Sequence, residues 1–198
     1  MVVNMKNGIL IYGELEVKVY NKNRELIKEL KKPSDSFVKN VTNFLNLWLD
    51  GKWSVVFTNG SSLELGFEDT SSNIIYNLNA LAKKVDTYFE YKGIWIGKGS
   101  KNFSVNDYEL DERFTNEFEA EEMIVVEKTD SSIVVQRSFN NVSGSDQTVN
   151  EIGFYTFAVY KVGGSYSFGP ILICRDVITP VVVPNGGRIT VKYKFMIE

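Results

Sequence analysis

The sequence predicts a mainly β protein, an antiparallel β-sandwich of jelly-roll-like or other Greek-key type, with one amphipathic helix near residues 34–49. Three observations predict it. Short apolar runs recur between clusters of Gly, Asn, Ser and Asp at the spacing of sandwich strands. The closing segment RITVKYKFMI alternates apolar and polar residues along its length. No regular helix intervenes between the C-terminal strands, which argues for antiparallel pairing rather than βαβ units.

Taken in order, GELEVKVY places Leu15, Val17 and Val19 on one face and Glu14, Glu16 and Lys18 on the other, the pattern of a half-buried strand. Asn21-Lys22-Asn23 can turn the chain, and RELIKEL fits a helical turn or a returning strand, the short loop favouring the strand of a hairpin. Pro33 is expected to stop that element. Ser34, Asp35 and Ser36 then offer N-cap oxygens to a helix whose stripe is Phe37, Val41, Phe44, Leu45 and Trp48, with Gly51 just past its end. WSVVF and SLELGF flank the turn signal Asn59-Gly60 and read as a hairpin. Residues 67–90 admit either a strand and a short helix or an extended arm, so 52–92 is a candidate inserted hairpin or arm within a single domain spanning 1–198.

The strands GIWIG, EEMIVVEK, SIVVQRSF, EIGFYTFAVY and PILICRDV follow. The last two are expected to form a hairpin through KVGGSYSFG, which brings Glu151 near Arg175. In the final strand Ile189, Val191, Tyr193, Phe195 and Ile197 are expected to face the core, behind the turn Asn185-Gly186-Gly187.

Composition narrows function. Lys and Arg number 22 against 25 Asp and Glu, a net charge of −3, which lacks the basic excess of a protein that grips a phosphate backbone. No apolar run reaches the ~20 residues that span a bilayer, and the start MVVNMKNGILIYG has no secretory pattern. Cys174 is the single cysteine, so it is expected to be a buried, inert packing residue rather than part of a disulfide or thiolate cluster. Histidine is absent, which removes the commonest general base and metal ligand. The expectation is a protein without catalysis, cofactor or bound metal.

Individual motifs point the same way. Gly97 and Gly99 in GIWIGKGS lack the third glycine and the βαβ setting of a dinucleotide fingerprint, so they read as a glycine turn ending a strand. The acidic run from Glu109 through Asp111, Glu112, Glu117, Glu119, Glu121 and Glu122 fits no calcium loop and reads as a solvated face. Asn59, Asn102 and Asn141 stand in N-x-S/T sequons as candidate glycan acceptors, with Asn59 and Asn141 expected in exposed turns; a fourth sequon at Asn40 falls in the expected helix. Trp53, Trp95 and Tyr166 are the aromatics that a carbohydrate-binding module would use as platforms. A glycosidase built on two of the acidic residues is a third reading, without a recognisable acid–base pair.

Several segments in series carry a family likeness: the helix start Asp35-Ser36-Phe37-Val38-Lys39-Asn40, the glycine turn GIWIGKGS, NDYEL with Tyr108 and Leu110, the E-I-G-aromatic strand after FNNVSGSDQTVN, LICRDV, and the closing PNGGRITVKYKF. This order resembles phage and archaeal-virus virion structural proteins of tail, collar or turret type. The resemblance implies a β-sandwich that assembles with itself, as a ring for instance, and with other capsid, turret or tail proteins. It also implies a place in the virion, after synthesis in the host cytoplasm. It carries no catalytic residues; Trp95, Gly97, Gly99, Glu151, Gly153 and Arg175 transfer as structural positions. The rival reading is an extracellular carbohydrate- or ligand-binding β-sandwich.

Overall fold

The computed structural model describes residues 3–4, 10–34, 36–41, 52–66, 75–78, 93–162 and 165–197. The chain is a β-sandwich: two antiparallel sheets face one another across a shared core. One sheet contains β1 (Val3–Asn4), β2 (Leu10–Tyr20), β3 (Leu26–Ser34), β8 (Phe118–Ala120), β9 (Ile124–Lys128), β10 (Ser132–Asn141) and β13 (Arg188–Ile197). The second contains β6 (Ile75–Leu78), β7 (Gly93–Gly97), β11 (Gln147–Val162) and β12 (Ser165–Val183). β4 (Lys52–Val56) and β5 (Ser62–Gly66) pair with each other as a separate hairpin.

In the first sheet β13 lies between β2 and β10, so the final strand occupies the middle. β1 and β3 share the far edge of β2, and β8 and β9 share the far edge of β10. The alternation read from the sequence places Leu15, Val17 and Val19 of β2 and Ile189, Val191 and Tyr193 of β13 inside. They meet Ile94 and Ile96 of β7, Val149, Ile152 and Phe154 of β11, and Cys174, Ile178, Val181 and Val183 of β12. Each fully buried aliphatic side chain contributes roughly 1.5–3 kcal/mol, so this interior dominates stability.

The β2–β3 hairpin turns where expected. The Asn21 side-chain oxygen accepts hydrogen bonds from the backbone N–H of Asn23 and of Glu25, fixing the reversal locally. β11 and β12 form the expected hairpin but are longer than the sequence pattern suggests, because most of KVGGSYSFG is itself strand, with Val162 opposite Ser165.

Three expectations are corrected. β3 continues through Pro33 to Ser34; Pro33 is tolerated because β3 is an edge strand among the described residues, where a missing N–H costs little. The stretch expected to begin the helix at 34 instead crosses to the second sheet: Phe37 bridges Cys174, the Val38 N–H donates to the Ile173 carbonyl, and the Arg175 N–H donates to the Ser36 carbonyl. Helical backbone is described only at 39–41, with Phe37 and Val41 in the core; Phe44, Leu45, Trp48 and Gly51 lie outside the described residues. In β13 the alternation slips at its end, so Met196 is buried and Ile197 is 54% exposed.

Candidate functional site

The structural positions carried over by resemblance converge on one place. Glu151 and Gly153 lie on β11, Arg175 on β12 opposite Gly153, and Trp95 and Gly97 on β7 opposite Gly153 and Glu151. Both charged side chains are essentially inaccessible, at 0% for Glu151 and 1% for Arg175, and Arg175 Nε donates to Glu151 Oε2 at 2.7 Å. An isolated pair buried this deeply would carry a desolvation cost of several kcal/mol per ion, so the remaining partners decide whether it is tolerable.

Those partners come from the segment after β7. Glu151 Oε1 accepts from the N–H of Gly99 at 3.2 Å and of Glu112 at 2.8 Å, while Oε2 accepts from the N–H of Asp111 at 3.0 Å. Arg175 donates to Asp107 Oδ2 at 2.8 Å and to the carbonyl oxygens of Lys101 and Asn102 at 2.9 and 3.4 Å. Burial pushes the Arg175 guanidinium toward deprotonation, but Glu151 and Asp107 outweigh it and raise its pKa above the usual arginine value.

The pair is therefore a clasp that folds residues 98–112 onto the outer face of the second sheet. Under this cover Leu110, Val38, Tyr155 and Leu172 form a small second core, and the Leu110 N–H donates to the Tyr155 hydroxyl oxygen at 2.7 Å. Gly97 and Gly99 are required by closeness of approach: a Cβ on either would sit 2.5 Å from Glu151 Oε1, and also 2.7 Å from the Glu112 backbone. Gly153 leaves space for Leu110 and Leu172.

Trp95 is half-buried and engaged within the protein. The guanidinium carbons of Arg113 and Arg137 lie 4.8 and 4.6 Å from its ring centroid. Arg137, itself 2% exposed, donates to the carbonyls of Glu121 and Ile94, and burial lowers its pKa to about 10. A ring so occupied is a poor sugar platform; the side chains of Trp53 and Tyr166 lie outside the described residues.

A second buried polar group went unread in the sequence. Asp176 is 0% exposed; the Ser34 and Tyr193 hydroxyls donate to its Oδ2 at 2.7 and 2.9 Å, and the Lys32 ammonium lies 3.2 Å from Oδ1. Burial and this neighbouring acid push the Tyr193 hydroxyl and the Cys174 thiol well up, so both stay protonated near neutral pH. The signal was present: Asp176 falls in the inward phase between Cys174 and Ile178, as Arg137 falls between Val135 and Phe139, and a charged residue in an apolar phase marks a buried polar network.

Among the candidate glycan acceptors, Asn59 and Asn102 are exposed. Asn141 is not, contrary to expectation: it is 2% exposed, and its side-chain N–H groups donate to the carbonyls of Ser145, Val183 and Pro184. It ties the loop between β10 and β11 to the end of β12. In the acidic run Glu109, Asp111, Glu112, Glu119 and Glu122 are exposed, and no group of acidic or cysteine side chains suited to a metal ion occurs among the described residues. No helix among the described residues is long and apolar enough to cross a membrane. Compared with family models, with curated proteins and with solved structures, the chain finds no match.

Proposed function

We propose that the protein is a non-enzymatic structural component of a virion, assembling with copies of itself and with other capsid, turret or tail proteins. The observation that carries this reading is the edge of the first sheet at β9. Ile124, Val125 and Val126 are 49%, 45% and 49% exposed, three consecutive apolar side chains on a strand that has a neighbour on one side only among the described residues. Ile197, 54% exposed, adjoins the β9–β10 turn, where its N–H donates to the Ser131 carbonyl. Soluble proteins usually protect such edges with charge, proline or a covering element, because a bare edge recruits another strand.

The clasp supports the non-catalytic part of the reading. A reacting carboxylate needs a lone pair turned to substrate, and Glu151 spends its oxygens on three backbone N–H groups and a guanidinium. Sedimentation velocity over a wide concentration range tests assembly: species at multiples of the 22.5 kDa chain are expected. A strict monomer throughout would overturn the reading.

A further inference from the structure

We infer that β9 is a two-fold self-pairing edge, on which the segment Glu122–Lys128 joins the same segment of a second copy as an antiparallel ladder with Val125 facing its own counterpart. The inference rests on the assembly reading above and names its partner and register.

The outer side of β9 faces no strand among the described residues, and only a bulge at Val126 and the charges of Glu127 and Lys128 blunt it. β9 pairs with β10 through Ile124, Val125, Glu127 and Lys128, and a register shift leaves Val126 outside that ladder. Ile124 and Val125 are consecutive and in register, so they project to opposite sides of the strand, and they and Val126 all reach solvent. An added strand would cover both sides at once while satisfying the outward backbone groups of β9, which is how extended segments add to a sheet edge.

Self-complementarity selects the partner. A two-fold axis normal to an antiparallel sheet must pass through a pair of directly opposed residues, so one residue faces its own copy and the rest follow. With Val125 on the axis, Ile124 opposes Val126 and Glu122 opposes Lys128, giving an apolar centre closed at both ends by opposite charges. Moving the axis to Val126 sets Lys128 against Ile124, Glu127 against Val125 and Glu122 against Asp130. Moving it to Ile124 sets Glu121 against Glu127. Each neighbouring register thus introduces a like-charged pair at a flank of the segment, and the Val125 register introduces none over residues 120–130. A seam of this length falls below the roughly 1,200 Å² of a standard stable interface, so a single contact is weak and gains strength when repeated in an assembly.

The test is disulfide trapping of the full chain, with single substitutions Ile124→Cys, Val125→Cys and Val126→Cys under mild oxidation. Cys174, fully buried, serves as an internal silent thiol. Covalent dimer is expected several-fold more with Val125→Cys than with either neighbour. Glu122→Lys should reduce trapping at Val125→Cys by setting the introduced lysine against Lys128, and adding Lys128→Glu should restore it. Trapping that peaks at Val126→Cys, is equal at the three positions or ignores the charge swap overturns the register. If wild-type chain forms oligomers in sedimentation but the three variants give no covalent dimer, β9 is covered by something other than its copy: this inference fails and the assembly reading stands. A wild-type monomer at every concentration, with no trapping, removes both.

Discussion

Glu151 is the residue on which the outer layer depends, since its carboxylate gathers backbone N–H groups from Gly99, Asp111 and Glu112 and the guanidinium of Arg175. Glu151→Gln keeps the shape but removes the charge and puts a donor amide among donors, so it leaves Arg175 under-compensated in the interior. A loss of about 3–5 kcal/mol is expected in urea denaturation, the range for breaking a buried pair from one side; a loss under ~1 kcal/mol would mean that the clasp is dispensable. Glu16 tests the opposite regime. Burial raises its carboxyl pKa, but Lys18, Lys31 and Lys192 outweigh burial and bring it from 4.5 down to about 2. Because the folded state holds that proton less tightly than the unfolded one, Glu16 stabilises the fold above pH 4.5, and the contribution fades as pH falls toward 2. Partial exposure and solvent screening limit it to about 1–2 kcal/mol. The stability gap between wild type and Glu16→Gln should be near that value at pH 7 and close at about pH 2. The meeting of Glu151 and Arg175 was legible because both sit on a hairpin readable from local turn chemistry. Asp107 and the backbone donors were not, since they arrive through a loop whose path no periodicity encodes.

At the scale of elements, the strands were legible wherever one face meets the core and the other meets water, as in β2 and β13, because burial then writes period two into the sequence. The pattern misled where a segment changes sheets. Residues 36–38 look like the opening of a helix, with caps and an apolar stripe, yet their backbone groups bond to β12 before helical backbone begins at 39. Phe37 belongs to that crossing: it is 2% exposed, and its ring lies 6.3 Å from that of Phe195. Phe37→Ala should open a cavity between the sheets and lower stability by ~3–5 kcal/mol in chemical denaturation. An effect below ~1 kcal/mol would show that the crossing contributes little to holding the sheets together. β12 was legible as a strand, but three successive buried residues, Cys174, Arg175 and Asp176, break the usual alternation. The cause is the clasped loop, which buries the outer face as thoroughly as the facing sheet buries the inner one.

At the scale of the whole molecule, the sandwich places its last strand in the middle of the seven-stranded sheet, so β13 completes its pairing only when both β2 and β10 are available. Such nonlocal pairing ties the ends of the described chain into one cooperative unit, and it makes stability uneven from centre to edge. β13 is hydrogen-bonded on both sides and holds Ile189, Val191 and Tyr193 at 0% exposure, whereas every residue of β9 is exposed and its outer backbone groups face no strand among the described residues. Native-state hydrogen exchange in dilute protein should therefore find β13 amides exchanging only through global unfolding, and β9 amides through local opening at a far smaller free energy. If β9 seals against a second copy, its protection should rise with protein concentration, and that of β13 should rise by the same association linkage, leaving β13 the more protected strand throughout. Equal protection of β9 and β13 in dilute protein would contradict this division, since a single-sided, solvated strand has no contacts that could hold it closed to the limit of global unfolding.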